Sequence, residues 1–183
     1  MLRAQVRGYK SYVGVRHWGL HLNFLLDLKL LALLFVANGA PVIAKNVLKH
    51  RFSAPIDGGS RLPDGEPLLG NAKTIRGIVS SLLATAVAAP LVRLTWPLGL
   101  TVSAASMLGD VLSSFLKRRL KMPSSGQAPG LDQVPESLLP LLVCWLIVPV
   151  TLIDVAATVA AFAISEVLFS KVLFRLHIRD RPY

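Results

Sequence analysis

Residues 101–116 read TVSAASMLGDVLSSFL, and this stretch decides what kind of chain this is. It is apolar enough to lie in a bilayer, yet it contains Asp110 and runs directly into Lys117-Arg118-Arg119. At helical spacing, one face collects Ser103, Ser106, Asp110, Ser113, Ser114 and Lys117. A charge at membrane depth costs roughly 2.5–3.5 kcal/mol even on lenient scales, so this face is predicted to turn toward the protein interior or a water-filled cavity. A functional site is the favoured interpretation, and hydrogen bonding between helices is the alternative.

The composition indicates an integral membrane protein with a single domain, residues 1–183. Of the 183 residues, 53% are hydrophobic and 16% are charged, whereas a soluble domain carries about 25% charge. The net charge is +10, from 20 Lys and Arg against 10 Asp and Glu. No nucleic-acid recognition module is present, so the basic excess favours anionic lipid headgroups or phosphate-bearing substrates as partners. The single cysteine, Cys144, excludes a disulfide within the chain.

Five stretches are long and apolar enough to cross a bilayer, which predicts an all-α protein with five transmembrane helices. The predicted spans are residues 22–43, 75–94, 97–116, 138–153 and 155–174. Two short turns and two long loops, 44–74 and 117–137, connect them. The Asn38-Gly39 pair followed by Pro41 is predicted to end or kink the first span, with Asn38 lining the cavity.

The two long loops and the C-terminus are predicted to share one side of the membrane, where they form a polar, basic cavity. By the positive-inside rule, the many Lys and Arg residues of these segments place that side in the cytoplasm of a multi-pass protein of the cell membrane. Arg3, Arg7, Lys10 and Arg16 before the first span argue the other way but are fewer. That N-terminal stretch is interpreted as an interfacial or frayed segment. A homo-oligomer is one possible assembly of this chain.

The end of the first long loop has the character of a phosphate-binding site. Lys73, Thr74 and Arg76 stand where a helix begins, and a helix start offers free N–H groups and a positive dipole end. The spacing of Gly65 and Gly70 matches the beginning of a P-loop motif. Two residues separate Gly70 from Lys73, however, and no strand is predicted before the glycines, so a P-loop is rejected. The alternative is that Lys73 and Arg76 are ordinary anchors on the positive side.

Three carboxylates are predicted to share the cytoplasmic face with these cations. They are Asp57, which precedes a glycine pair, Asp110, and Asp132, for which a helix cap is the alternative. Mg²⁺ typically uses one or two carboxylates together with substrate phosphates. This arrangement favours phosphoryl or nucleotidyl transfer at a membrane surface.

The motifs resemble those of a known family. Residues 109–118, GDVLSSFLKR, followed by Pro129-Gly130 and Asp132-Gln133, resemble the signature of the membrane CTP:phosphatidate cytidylyltransferases. The resemblance is fullest to their short archaeal branch, the CDP-archaeol synthases, through Pro55–Gly59, Leu69–Gly77 and Leu131–Gln133. It covers about residues 38–137. Two departures are Lys121-Met122, where the bacterial signature has Lys-Asp, and Pro135, where it has a second aspartate.

The resemblance implies that CTP and an isoprenoid glycerol phosphate lipid react to give a CDP-lipid and pyrophosphate. Mg²⁺ on Asp110 and Asp132 would bridge the CTP phosphates, and Lys73, Arg76, Lys117 and Arg118 would neutralise the remaining charge. Hydrogen bonds to phosphate or base would come from Asn71, Thr74 and Ser114, and the other predicted substrate-binding residues are Asn38, Asp57, Ser113 and Gln133. Two further interpretations stay open: a transporter for an anionic solute and a structural membrane subunit.

Overall fold

The computed structural model describes residues 22–123, 128 and 130–175, without the side chains of 170–175. The described residues form five helices, which confirms the predicted all-helical class. They are α1 (Phe24–Leu48), α2 (Ile75–Leu91), α3 (Trp96–Arg119), α4 (Gln133–Ile147) and α5 (Leu152–Arg175). The N-terminal stretch with Arg3, Arg7, Lys10 and Arg16, and the C-terminal Arg179 and Arg181, lie outside the described residues.

Three of these helices are long and apolar enough to cross a membrane: α1, α3 and the Leu152–Phe169 part of α5. The other two, α2 and α4, are apolar but shorter. All five occupy the regions where the spans are predicted, with shifted ends.

Helix α3 lies at the centre of the bundle. It packs against α1, α2 and α4, and α5 closes the bundle by packing against α1 and α4. The apolar core gathers Leu30, Leu33 and Leu34 of α1 around Val102 of α3 and Phe162 of α5, all of them buried. The residues of α3 that carry chemistry are therefore surrounded by other helices.

Two glycines bring α3 close to its neighbours. A Cβ at Gly99 would lie 2.5 Å from the carbonyl oxygen of Thr85 on α2. A Cβ at Gly109 would lie 2.2 Å from the carbonyl oxygen of Pro135 in the first turn of α4. Small residues at helix contacts allow backbones to approach in this way in membrane bundles. The glycine next to Asp110 thereby fixes the start of α4 against the polar part of α3.

The sequence suggested that the first span ends or kinks near Asn38-Gly39. The helix does not end there. Helix α1 continues through Pro41 to Leu48, five residues beyond the predicted boundary at 43. Proline at position 41 cannot donate a hydrogen bond to the carbonyl of Ala37, four residues earlier. That carbonyl instead accepts a hydrogen bond of 2.6 Å from the hydroxyl of Ser81 on α2. A neighbouring helix thus satisfies the freed backbone group, and the helix continues.

The fourth span is also displaced from its prediction. Helix α4 covers residues 133–147 instead of 138–153, and residues 148–151 link it to α5. Pro149 disfavours helical backbone in the residue before it, and Val148 accordingly has φ −122° and ψ 159°. At the other end, Pro135 lies in the first turn, where a missing N–H is tolerated. The earlier start places Glu136 within the helix.

The first long loop folds back on itself. Residues 54–56 run beside residues 73–75, since the amide of Ile56 donates to the carbonyl of Lys73 and that of Ile75 to the carbonyl of Ala54. Arg119 at the end of α3 pairs with Asp64 and donates to the carbonyl of Pro67 at 2.8 Å. The loop is thereby attached to the end of α3, and it holds Lys73 at the start of α2.

Candidate active site

The polar face of α3 points into the protein, as its spacing predicts. Ser103, Ser106, Ser113, Ser114 and Lys117 are all buried. Asp110 is partly buried, with 26% of its side chain exposed. The exposed positions of α3 carry apolar residues instead, such as Leu108 and Leu112. The Asp110 carboxylate is therefore the accessible group on a helix face that is otherwise buried.

Two lysine–aspartate pairs form at the end of α3 that carries Arg119. Lys73 Nζ, at the end of the first long loop, lies 2.5 Å from Asp110 Oδ2. Lys117 Nζ, two turns further along α3, lies 2.6 Å from Asp132 Oδ1 at the start of α4. Four of the predicted site residues are thus brought together, although they come from three separate parts of the chain. A mutually paired set of this kind can exchange its internal partners for the phosphates of a substrate.

The deeper polar residues of the stripe join helices to one another. Asn38 of α1 donates to Ser106 Oγ at 3.1 Å. Ser103 Oγ lies 2.7 Å from Ser81 Oγ of α2. Ser113 is fully buried and donates to the carbonyl of Gly109 in its own helix. The Asn38–Ser106 and Ser81–Ser103 contacts match the alternative of hydrogen bonding between helices, whereas the charged residues of the stripe, Asp110 and Lys117, lie further along α3.

Asp57 organises the first loop. Its Oδ1 accepts a hydrogen bond from the amide of Gly59 at 3.0 Å, and its Oδ2 accepts from the amides of Leu69 and Gly70 at 2.9 and 3.3 Å. Partial burial works against ionisation, but these amides outweigh it and hold the pKa of Asp57 below its usual value of 3.8. With both oxygens engaged by backbone, Asp57 shapes the loop that carries Lys73.

The start of α2 is fixed by its own polar residues. The Thr74 hydroxyl caps the helix by accepting from the amide of Gly77 at 3.2 Å. Arg76 Nη1 donates to the carbonyls of Lys49 and Arg51, both at 2.7 Å, and so ties the end of α1 to α2. Asn71, just before Lys73, is exposed. In this structure Thr74 and Arg76 hold the segment on which Lys73 is carried.

The start of α4 is similarly fixed. Asp132 Oδ2 accepts from the amide of Ala128 at 3.1 Å, and Gln133 Oε1 accepts from the amide of Gly130 at 2.7 Å. Arg118 is buried and donates through Nη2 to the carbonyl of Pro123 at 2.8 Å. Pro129, part of the motif that carries the resemblance, lies outside the described residues.

A pair of carboxylates, Glu136 and Glu166, adjoins this site, and the sequence pattern does not reveal it. Glu136 of α4 is 6% exposed, and it faces Glu166 of α5 as well as Asp110 and Lys73. Spacing along one helix cannot show such a pair, because α4 and α5 bring its members together. The available signal was the cost of placing Glu166 within an apolar span.

The described residues fit a magnesium ion shared with a nucleotide better than an ion held by protein alone. Among them, no group of three or more His, Cys, Asp or Glu side chains is arranged to hold a metal. Asp132 has both oxygens engaged by Lys117 and Ala128, whereas the described contacts of Asp110 use Oδ2. One or two carboxylates are enough when substrate phosphates complete the coordination. Asp110 is the better suited of the two predicted ligands.

Comparisons with known proteins show which family this chain resembles. The family model of CarS-like CDP-archaeol synthase matches residues 91–183. A CDP-archaeol synthase of Hyperthermus butylicus is 41% identical over 54% of this chain and 59% of its own length. One from Pyrobaculum aerophilum is 30% identical over 81% of this chain and 92% of its own length.

A solved structure described as an intramembrane enzyme for archaeal membrane lipid biosynthesis is also similar. Its TM-score is 0.63 at 29% sequence identity, and the match covers 74% of this chain and 89% of that one. Neither the family match nor these relatives support the transporter alternative. Because the family model matches half of the chain and the Pyrobaculum aerophilum relative matches over nearly its whole length, the chain belongs to the CDP-archaeol synthase family.

Proposed function

We propose that this chain transfers CMP from CTP to an archaeal lipid phosphate, unsaturated archaetidic acid, and releases pyrophosphate. The observation that carries this is the pair of contacts Lys73–Asp110 and Lys117–Asp132 at one end of an apolar bundle. Such a site offers cations to two polyanions, a nucleotide and a lipid phosphate, where the lipid headgroup meets water. Membership of the CDP-archaeol synthase family supports the same reaction.

The reaction needs no nucleophilic side chain. A phosphate oxygen of the lipid attacks the α-phosphorus of CTP and forms a new P–O bond. The bond from that phosphorus to the oxygen bridging to the β-phosphate breaks, and its electron pair leaves with pyrophosphate. Catalysis of this kind depends on positioning and on electrostatic stabilisation, because the two reactants repel each other.

The lysines supply part of that stabilisation. Lys73 and Lys117 are held at 2.5 and 2.6 Å from their aspartates, so the ammonium groups are oriented before substrates arrive. Arg118, next to Lys117, adds a third cation. Asn71, Ser114 and Gln133 are assigned to hydrogen bonds with the nucleotide. Thr74 and Arg76 keep the loop and the start of α2 in position through the contacts described above.

Mg²⁺ belongs to this proposal as a partner of the nucleotide. Asp110, with Asp132 as the second carboxylate, would hold it, and the ion would neutralise charge on the CTP phosphates and on the departing pyrophosphate. Lys73 and Lys117 would then neutralise the negative phosphate charge that the ion does not.

The proposed topology has five membrane spans with the site in the cytoplasm. The first long loop and the helix ends beside it carry ten basic residues among those described: Lys45, Lys49, Arg51, Arg61, Lys73, Arg76, Lys117, Arg118, Arg119 and Lys121. The connection between α2 and α3 at the opposite end carries Arg93. The positive-inside rule therefore supports a cytoplasmic site, where CTP is available, and a cytoplasmic C-terminus.

The test is formation of CDP-lipid by the purified protein with radiolabelled CTP, Mg²⁺ and unsaturated archaetidic acid. Lipid-extractable label is expected from the wild type, and Asp110→Asn should reduce its rate by about 100-fold or more. Asp64→Asn, in the exposed pair with Arg119, is the matched control and should stay near the wild-type rate, because Arg119 keeps its hydrogen bond to the carbonyl of Pro67 and the loop stays attached to α3. Absence of label from folded wild-type protein, with phosphatidate also tried, would overturn the proposal.

A further inference from the structure

An apolar groove lies on the outer side of α2, beside the site. Its volume is about 430 Å³, and its walls include Leu48 at the end of α1, Phe52 in the following turn, and Ile75, Arg76, Val79 and Leu83 along α2. Phe52 is 76% exposed and Leu83 is 63% exposed. The groove thus opens toward the surroundings of the bundle, while Ser81 of the same helix faces its interior.

The turn that brings Phe52 to the groove wall is held in place. Arg76 Nη1 binds the carbonyls of Lys49 and Arg51, which fixes the turn against the start of α2. Lys49 and Phe52 have φ of 48° and 54°, a left-handed conformation that side chains rarely adopt unless their surroundings hold it. The turn presents Phe52 to the groove as part of a fixed wall.

One end of the groove lies at the start of α2, two residues along the chain from Lys73 of the candidate active site. Ile75 and Arg76 directly follow Thr74 and Lys73, and Lys73 is paired with Asp110. Lys49 and Arg51 are exposed beside the same end. An apolar channel with cations at one end is complementary to an amphiphile with an anionic head.

We propose that this groove binds one isoprenoid chain of the lipid phosphate substrate, with the phosphate turned over the start of α2 toward Lys73. The inference rests on the proposed function, because only a lipid substrate needs a chain site next to the reacting phosphates. An ordinary membrane lipid could supply an apolar chain as well, but it would not need a groove that begins at Ile75 and Arg76, directly after the segment that carries Lys73.

The test compares two exposed valines on the same face of α2. Val79→Trp fills the groove, whereas Val87→Trp places the same side chain two turns further along, outside the groove lining. Val79→Trp should raise the KM for the lipid phosphate by about tenfold or more and leave the KM for CTP unchanged. Val87→Trp should match the wild type in both constants. Equal lipid KM values for the two variants would overturn the proposal.

A second substrate separates chain binding from a general disturbance. An analogue with the same phosphate but strongly shortened chains should react equally well with the wild type and with Val79→Trp, because it does not reach into the groove. A defect that persists with the short analogue would contradict chain binding. Leu83→Trp, in the same groove, provides a second variant if Val79→Trp unfolds at a lower temperature than the wild type.

Binding without CTP keeps this inference separate from the proposed reaction. Native mass spectrometry of the detergent-purified protein should show retention of the long-chain lipid phosphate by the wild type and Val87→Trp, and its loss in Val79→Trp. A phosphate-free isoprenoid diether and a bulk phospholipid are the comparison lipids. Equal retention of all three lipids would indicate nonspecific membrane lipid and overturn the assignment. Selective retention of the lipid phosphate without CDP-lipid formation would reject the proposed reaction and still support lipid binding in the groove.

Discussion

Asp57 and Asp110 are both aspartates next to glycine, and the sequence places both in the substrate site, yet their surroundings differ. Asp57 is bound by three backbone amides, so its charge is already satisfied by the loop. Asp110 is bound by the side chain of Lys73, a partner that can move. The backbone-bound carboxylate has a structural role here, and the lysine-bound one remains able to respond to a ligand.

Acidification should loosen the first loop through Asp57. Its folded pKa lies below 3.8, so its contribution to stability is fully present above pH 3.8 and is lost as the pH falls through the folded pKa. Hydrogen exchange of the Leu69 and Gly70 amides should show protection at about pH 6 that declines progressively as the pH is lowered below 3.8, relative to the amides within α3. Asp57→Asn should show weak protection at both pH values. Constant protection of these amides in the wild type would contradict the assignment.

At the residue level, the sequence predicts which side chains carry charge at the site but not how they are paired. Lys73, Asp110, Lys117 and Asp132 are all recognisable from their positions in or beside apolar spans. The pairing of Lys73 with Asp110 depends on how the first loop folds back, and long-range contacts of this kind leave no periodic signal. Glu136 and Glu166 meet only because α4 packs on α5, which local patterns do not specify.

At the level of the elements, helix existence follows from hydropathy, whereas helix ends depend on individual contacts. The five apolar stretches each become a helix. The end of α1 could not be predicted, because Ser81 of another helix satisfies the carbonyl that Pro41 leaves free. The end of α4 is set by Pro149 through the extended conformation of Val148. Hydropathy averaged over a whole span does not register this effect of a single proline.

The crossing of α3 and α4 should not tolerate a side chain at Gly109. An added Cβ would lie 2.2 Å from the carbonyl oxygen of Pro135 and 2.8 Å from Cα of Glu136, and both are backbone atoms that cannot simply rotate away. Gly109→Ala should therefore destabilise the protein by about 1–3 kcal/mol or more, as overpacking does, and lower its melting temperature in detergent. Because Asp110 follows directly, CDP-lipid formation should also fall.

Gly39 in α1 provides the matched control for this prediction. A Cβ there would have nothing within 4 Å, so Gly39→Ala changes a helical glycine without a clash. Replacing glycine by alanine in a helix favours folding by roughly 0.5–1 kcal/mol, and the melting temperature should stay the same or rise. Equal melting temperatures for Gly109→Ala and Gly39→Ala would refute the close crossing.

At the scale of the whole molecule, charge is distributed unevenly between the two ends of the bundle. The end with the first loop carries the lysine–aspartate pairs and most of the described basic residues, and the short α2–α3 connection at the other end carries one basic residue, Arg93. The same asymmetry serves two purposes, because cations that orient the protein in the membrane also attract phosphates. In the proposed topology, the same basic residues would therefore serve both orientation and substrate binding.

Cysteine labelling should reveal this orientation in sealed cells of an expression host. The chain's one cysteine, Cys144, is fully buried, so the wild type should give little background with a membrane-impermeant maleimide. Pro63→Cys in the exposed first loop should be labelled only after the membrane is permeabilised, because the proposed site faces the cytoplasm. Thr95→Cys, exposed between α2 and α3, should be labelled without permeabilisation. The reverse pattern would place the lysine pairs away from cytoplasmic CTP, and the basic residues of the first loop would then need a different explanation from the positive-inside rule.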